Sequence, residues 1–463
     1  MAAPVVPDRL PVGSDFTTGL TDERHVMSRV RPVRLGLAVV TLSAVAFATA
    51  CSGSSTAPST TSSSAAADAA YSERGPITFA RAKDNSGYAP KEVAAWNAQH
   101  PDEQVTLLDL PDSADQQRQQ IIQGQQVKSD NMTVVTTDVV WTAEFAAKGY
   151  VDELPADKFD LTGYLPATVK SATYFDKLYG VPGDSNGGLL YYRSDLLEKA
   201  GVKPPTTWAE MKDACAEVKA LPGTSDIDCY GGQFDKYEGL TVAFAEAVDS
   251  SGGSIIGPDG QPTVDTAEAA SGLNFLADSF EDGTIPKGAI TWKEEESRQA
   301  FQSGKLLFLR NWPYVYGLAG KTDGSSKVAG KFAVAPLPGQ NGPGISSLGG
   351  LNFAITKYGK NKGTAVDFIN FLSSAEEQKQ RALASANPPV LESLYADADM
   401  VKQFPYLPTL KDSIAKAKPR PQAVQYGDVT IAIQDAVYGT LNGQTQTDAA
   451  LATLQGKLTE LTQ

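Results

Sequence analysis

The chain has 463 residues, 41% of them apolar, and a formal net charge of −14. That length suits two or three packed domains, and the acidic balance argues against a phosphate-neutralising nucleic-acid surface. His25 and His100 are the only histidines, which speaks against His-ligated metal sites and a Ser-His-Asp hydrolase but leaves carboxylate-only glycosidase chemistry open.

Arg29, Arg31 and Arg34 follow Met27, the expected true start, with residues 1–26 ahead of it carrying no pattern. Residues 35–50 form an uncharged, mostly apolar run, short for a membrane span and suited to a secretory signal. It ends Ala48-Thr49-Ala50-Cys51, which is similar to a bacterial lipobox with Ala48 where Leu is usual. Cys51 is therefore expected to be acylated and to become the mature N-terminus. The other reading is an ordinary signal peptide cut after Ala50. Residues 1–50 are thus the signal region, and 51–75 a lipidated cysteine with a Ser/Thr/Ala-rich flexible tether that cannot build a core.

Folding is expected from Pro76. Ile77 and Phe79 alternate as in a strand. Pro90 opens a helix with Val93 and Trp96 on one side. Residues 105–110 are a second strand. Ser113 and Gln116 suggest a capping box for a helix to about Val127. Residues 132–135 are a third strand, and 141–148 a helix stopped at Gly149. This βαβαβα order predicts a parallel sheet with helices on its faces and ligand beyond the carboxyl ends of its strands. Residues 189–192 read as a strand of a second lobe, and Thr207 with Glu210 as a capping box for a helix bearing Trp208, Met211, Cys215 and Val218. Helical patterns follow at 238–250, 266–280, 294–302, 363–373 and 375–385. Strand-like runs stand at 306–311, 331–336 and 351–356, and 403–463 is mostly helical.

In the stretch 301–316, FQSGKLLFLRNWPYVY, Pro313 ends a strand at Asn311 and leaves Trp312, Tyr314 and Tyr316 at its mouth. Aromatic rings among polar groups suit the CH faces of a sugar, although each alone could be a core residue. This stretch, with TDVVWTAEFAAKGYV (137–151), GVPGDSNGGLLYYRSDLL (180–197), YEGLT (237–241) and SLGGLNFAI (347–355), resembles the family 1 extracellular solute-binding proteins of ATP-binding-cassette sugar importers. It is most similar to the trehalose- and maltose-binding branch, which includes actinobacterial trehalose-importer lipoproteins.

The resemblance implies an α/β, two-lobed periplasmic-binding-protein-like fold with a ligand cleft between lobes joined by several chain crossings. One lobe would hold residues 76–184 plus 350–400, the other 185–349 plus 401–463. It also implies ligand-binding positions at Asp84, Asn85, Arg118, Asp138, Asn186, Glu238, Trp312, Tyr314, Gly349, Gly350 and Arg420. Here Ala386-Asn387-Pro388-Pro389 replaces the Gly-x-Pro of many relatives, which changes any contact made by that loop. Cys215 and Cys229 flank a short turn-rich connection on the exported side, where a disulfide persists; two buried thiols are the other reading.

The implied protein is exported and lipid-anchored to the outer face of the cytoplasmic membrane. It is a monomer without cofactor, metal or catalysis that delivers a disaccharide such as trehalose or maltose to transmembrane permease subunits. Other solutes (a maltooligosaccharide, a polyol, a glycerophosphodiester), a signalling receptor, or a glycoside hydrolase using Asp138 and Glu238 are the alternatives.

Overall fold

The computed structural model describes residues 71–462. The arginine-rich start, the apolar run, Cys51 and residues 52–70 lie outside them. Among the described residues, no helix is long and apolar enough to cross a membrane.

Two α/β lobes are built on two sheets. Alternating apolar residues form β1 (Ile77–Ala82), with the more exposed β2 (Val105–Leu110) beside it and β3 (Val134–Asp138) on its other edge. All three run parallel. A hairpin of β4 (Thr173–Tyr174) and β5 (Lys177–Leu178) precedes β6 (Val181–Gly187). The second sheet takes β7 (Leu189–Tyr192), β8 (Asp228–Gly231), β9 (Leu306–Asn311) and β10 (Ala333–Ala335). The chain then returns to the first sheet as β11 (Leu348–Ile355). Strand order is β2-β1-β3-β11-β6 in one sheet and β10-β7-β9-β8 in the other. Since β11 is antiparallel to both β3 and β6, the first sheet is mixed rather than wholly parallel.

Gly188 alone separates β6 from β7, so the chain passes between sheets in one residue. A second crossing, residues 336–347, joins β10 to β11. The first core packs Phe79 edge-on against Phe353 and Phe368, with Trp96 of the helix Ala89–Gln99 also against Phe368. The second core gathers Met211, Val218, Leu240, Phe244 and Leu273 around β8 and β9. Thr207 and Glu210 form the expected capping box for the helix Trp208–Lys219. Its buried Cys215 is joined by a disulfide to Cys229 on β8, with Cα atoms 5.5 Å apart.

Several local expectations are corrected. The third strand spans Val134–Asp138; it extends to Asp138 because Thr136, Thr137 and Asp138 pair with Phe353, Asn352 and Leu351 of β11. Ser113 sits at the N-cap of the helix Ala114–Gln126 but makes no capping hydrogen bond. The Gln117 side chain instead donates to the carbonyls of Pro111 and Asp112. Tyr316 is not at the cleft mouth: its ring packs on Phe332, Phe404 and Tyr406 in the core under β9.

Candidate functional site

A cavity of about 690 Å3 opens where loops and strand ends of both lobes meet. The carboxyl ends of the three parallel strands supply one wall: Lys83, Asp84 and Asn85 after β1, Asp112 and Ser113 after β2, Asp138 at the end of β3. This is where an open α/β sheet offers a ligand its loops. Register with β11 sets Leu351 beside both Asp138 and Asp184, and Gly349 beside Asn186. The other wall comes from Tyr237, Glu238, Lys293, Glu294, Trp312 and Tyr314.

Of the eleven ligand-binding positions expected from sequence, ten line this cavity. The exception is Arg118. Its Nε and Nη2 donate to the two Glu144 oxygens at 2.7 and 2.5 Å, both side chains are buried, and the guanidinium lies against Gly427. Arg118 is therefore tied up in an ion pair beside the cavity.

At the centre, the buried Arg420 donates from Nη2 to Asp138 Oδ1 at 2.7 Å and from Nη1 to Glu238. Tyr426 and Thr430 also donate to Glu238, and the backbone N–H of Glu238 reaches Asp115 Oδ2 at 3.1 Å. Burial, against the opposing pull of Arg420, pushes the Glu238 carboxyl up to about 7. Burial likewise raises Asp184 to about 6, despite Arg381, Arg81 and the hydrogen bond from Leu351 N at 2.9 Å. Asp84 behaves differently. Burial works against its charge, but hydrogen bonds from Ser86 and from Ala89 N hold it below the ordinary carboxylate value. Its Oδ2 thus accepts from the first N–H of the helix Ala89–Gln99.

Trp312 follows β9, its backbone N–H held by Asn311 Oδ1 and its carbonyl accepting from Tyr191 Oη at 2.9 Å. The Arg310 guanidinium lies 3.9 Å from the ring centroid. A Cβ at Gly349 would come within 2.9 Å of the indole, so glycine there lets strand and ring touch. Gly350 has φ +126 and would also clash with Asp184 backbone if it carried a side chain. Tyr314 donates to Glu295 and Tyr237 to Glu294, at 2.7 and 2.6 Å. Aromatic faces and fixed polar groups together can grip a polyhydroxylated ring, the polar groups through hydrogen bonds to hydroxyls and the rings through its CH faces. Among the described residues there is no cluster suited to hold a metal.

Sequence reading missed Asp184, Tyr237, Lys293 and Glu294, and gave Trp141 no part in the cavity wall. One available signal was the charged Arg310 directly after the apolar run Leu306–Leu309 of β9, which marks a buried partner.

The family profile described as bacterial extracellular solute-binding protein matches residues 82–379. A probable ABC transporter-binding protein of Deinococcus radiodurans is 34% identical over 409 residues, covering 85% of this chain and 96% of that protein. Maltose-bound MalE3 of T. maritima superposes with a TM-score of 0.79 at 31% identity, over 83% of this chain and 99% of that one. The GacH receptor of Streptomyces glaucescens, solved unliganded and with acarbose, shares the fold at a TM-score of 0.74 and 24% identity, over 84% and 98% of the two chains.

Proposed function

The chain belongs to the bacterial extracellular solute-binding proteins of ABC transporters, and we propose that it captures a glucose-containing disaccharide such as trehalose or maltose. It is an exported binding protein for sugar, and its relatives bind solutes rather than transform them. The reading rests on one observation: Asp138, Arg420 and Glu238 form a fixed polar centre in the same cavity as Trp312 and Tyr314. Hydroxyls would bond to Asp138, Arg420, Glu238 and Asn186, and ring faces would lie on Trp312 and Tyr314. Asp84, Asn85 and the small residues Gly349 and Gly350 would complete the wall.

The lobe division at 76–184 plus 350–400 and 185–349 plus 401–463 belongs to this proposal, with closure about the strand crossings enclosing the sugar. So do a lipid on Cys51, a tether to residue 75, action as a monomer, and delivery to transmembrane permease subunits. Intact mass of membrane-extracted protein checks the lipid: an unmodified chain starting before Cys51 would refute it.

A second reading has one observation in its favour. A carboxyl raised to about 7 at Glu238, beside Asp138, is the pairing of acid and carboxylate that glycoside hydrolysis uses. Arg420 argues against it, since it occupies both carboxylates at once. A melting-temperature panel of trehalose, maltose, maltotriose, mannitol and glycerophosphodiesters tests the binding reading, with a glucose assay on the same mixtures. The expected result is a saturable upward shift with a glucoside and no glucose release. Catalytic release abolished by Asp138→Asn would establish the hydrolase instead.

A further inference from the structure

Arg310 lies at the interior end of β9, 3% exposed, with its guanidinium fully engaged. Nε and Nη2 donate to Glu246 at 2.7 and 2.5 Å, and Nη1 donates to Gln233 Oε1 at 2.9 Å. Gln233 is fixed in turn, donating to Ser297 Oγ and to the Arg310 carbonyl. One face of the guanidinium covers the Trp312 indole at 3.9 Å. A buried charge needs partners, but its burial does not explain why these partners sit where they do.

Glu246 also touches the crossings at Gly188 and at residues 336–347. Its Oε1 accepts from Ser347 N at 3.1 Å, just ahead of β11. Ser346 Oγ, next to it, accepts from Gly188 N at 2.5 Å, and Gly188 is the single residue between β6 and β7. A Cβ on Gly188 would lie 2.6 Å from Glu246 Oε1 and 2.9 Å from Arg310 Nη2. The ion pair is therefore packed against the backbone of one crossing, hydrogen-bonded to the other, and stacked on the ring that lines the cavity.

From this geometry we infer that Arg310 is a positioning residue: with Glu246 it sets the Trp312 ring according to the conformation of the two crossings. Cation and ring attract most strongly when desolvated, as here. A planar fork held at three nitrogens has no rotamer freedom left, so a displacement of Gly188 or Ser347 passes to the ring rather than dissipating in the side chain. Ligand grip and lobe geometry are thereby joined at one point. The inference rests on the sugar reading for its effect on affinity, but not for its effect on the ring.

The experiment uses full-length mature protein labelled with fluorotryptophan. The Trp312 fluorine resonance is assigned by its absence from Trp312→Phe and followed without ligand in Arg310→Lys and Gly188→Ala. The atoms nearest a Cβ at Gly188 belong to Glu246 and Arg310, so movement of that resonance in Gly188→Ala together with loss of affinity reports coupling through the ion pair. The expected result is a shifted resonance in both variants, with affinity for the panel sugar lowered about tenfold. Should Gly188→Ala fail to fold, Ser346→Ala removes the hydroxyl that holds the same crossing and serves in its place. A purely structural role would lower the melting temperature and leave the resonance where it was. An unshifted resonance, or a shifted one with wild-type affinity, overturns the inference. A wild-type protein that binds no sugar in the panel refutes the sugar reading alone, and the ligand-free resonance still decides whether Arg310 and Gly188 set the ring.

Discussion

Arg420 and Asp138 meet at 2.7 Å although 282 residues separate them in the chain. The contact joins the end of β3 in the first sheet to the segment leading into the helix Tyr426–Leu441, and the same guanidinium reaches Glu238. Asp138 and Arg420 are a largely buried ion pair, and truncating either leaves the charge of the other unpaired. The cavity centre is thus also a structural junction.

Trp312 should separate binding from folding. Its ring is half-buried, with one face on Arg310 and an edge toward Gly349. Trp312→Ala is expected to weaken sugar affinity about ten- to hundredfold. Ligand-free stability should fall by less than the roughly 3–5 kcal/mol of a core aromatic truncation. Melting wild type and variant with and without sugar reads both. A variant that melts far lower when empty yet keeps the full ligand shift would place the indole in the core.

Stability should rise as pH falls from about 8 toward 5. The folded protein holds a proton on Glu238 up to about 7, whereas the ordinary value is 4.5. Between those values the native state binds more protons than the unfolded chain, so the stabilisation is complete below the lower value and lost as pH rises through the upper one. Asp184, raised from 3.8 to about 6, acts in the same direction over a lower window. The contribution of Glu238 should approach about 1.4 kcal/mol per pH unit at most. Denaturant titrations at stepped pH should show this slope in wild type and its flattening in Glu238→Gln. Equal slopes in the two proteins would mean that the Glu238 carboxyl titrates normally.

The Cys215–Cys229 bridge closes a loop with a sequence separation of 14. A loop of that size is worth about 3 kcal/mol in the chain-entropy account. Replacing both cysteines by serine should lower the melting temperature by a few degrees and leave sugar affinity unchanged, because neither residue lines the cavity. Loss of affinity in the double variant would show that the second lobe shapes its cavity wall through this bridge.

Local signals were the most legible. The Thr207–Glu210 capping box and the extent of β9 follow from neighbouring residues alone, and the structure has both. Ser113 carries a similar signal, but it lines the cavity and makes no cap, because tertiary surroundings outweigh a single hydrogen bond there. The extension of β3 to Asp138 depends on its register with β11, more than 200 residues away, and no local pattern carries that. Arg118 failed for a related reason: the same arginine suits a hydroxyl or a carboxylate, and Glu144 was within reach. Trp312 and Tyr314 were reached from the strand end before Pro313, and the other eight cavity positions through family resemblance alone. Arg310 was passed over because its partners, Glu246 and Gln233, lie 64 and 77 residues away.

The place of β11 has a consequence for the order in which the protein can be made. It stands between β3 and β6 and pairs with both, yet it follows every strand of the second sheet in the chain. Translation and secretion deliver the amino end first. The early strands β1, β2 and β3 therefore reach the far side of the membrane with an open edge, which stays unpaired until Ile355 has passed through. Closing that edge joins residues far apart in sequence, a slow step compared with helix formation. During that interval the half-built sheet exposes a hydrogen-bonding edge to other newly exported chains.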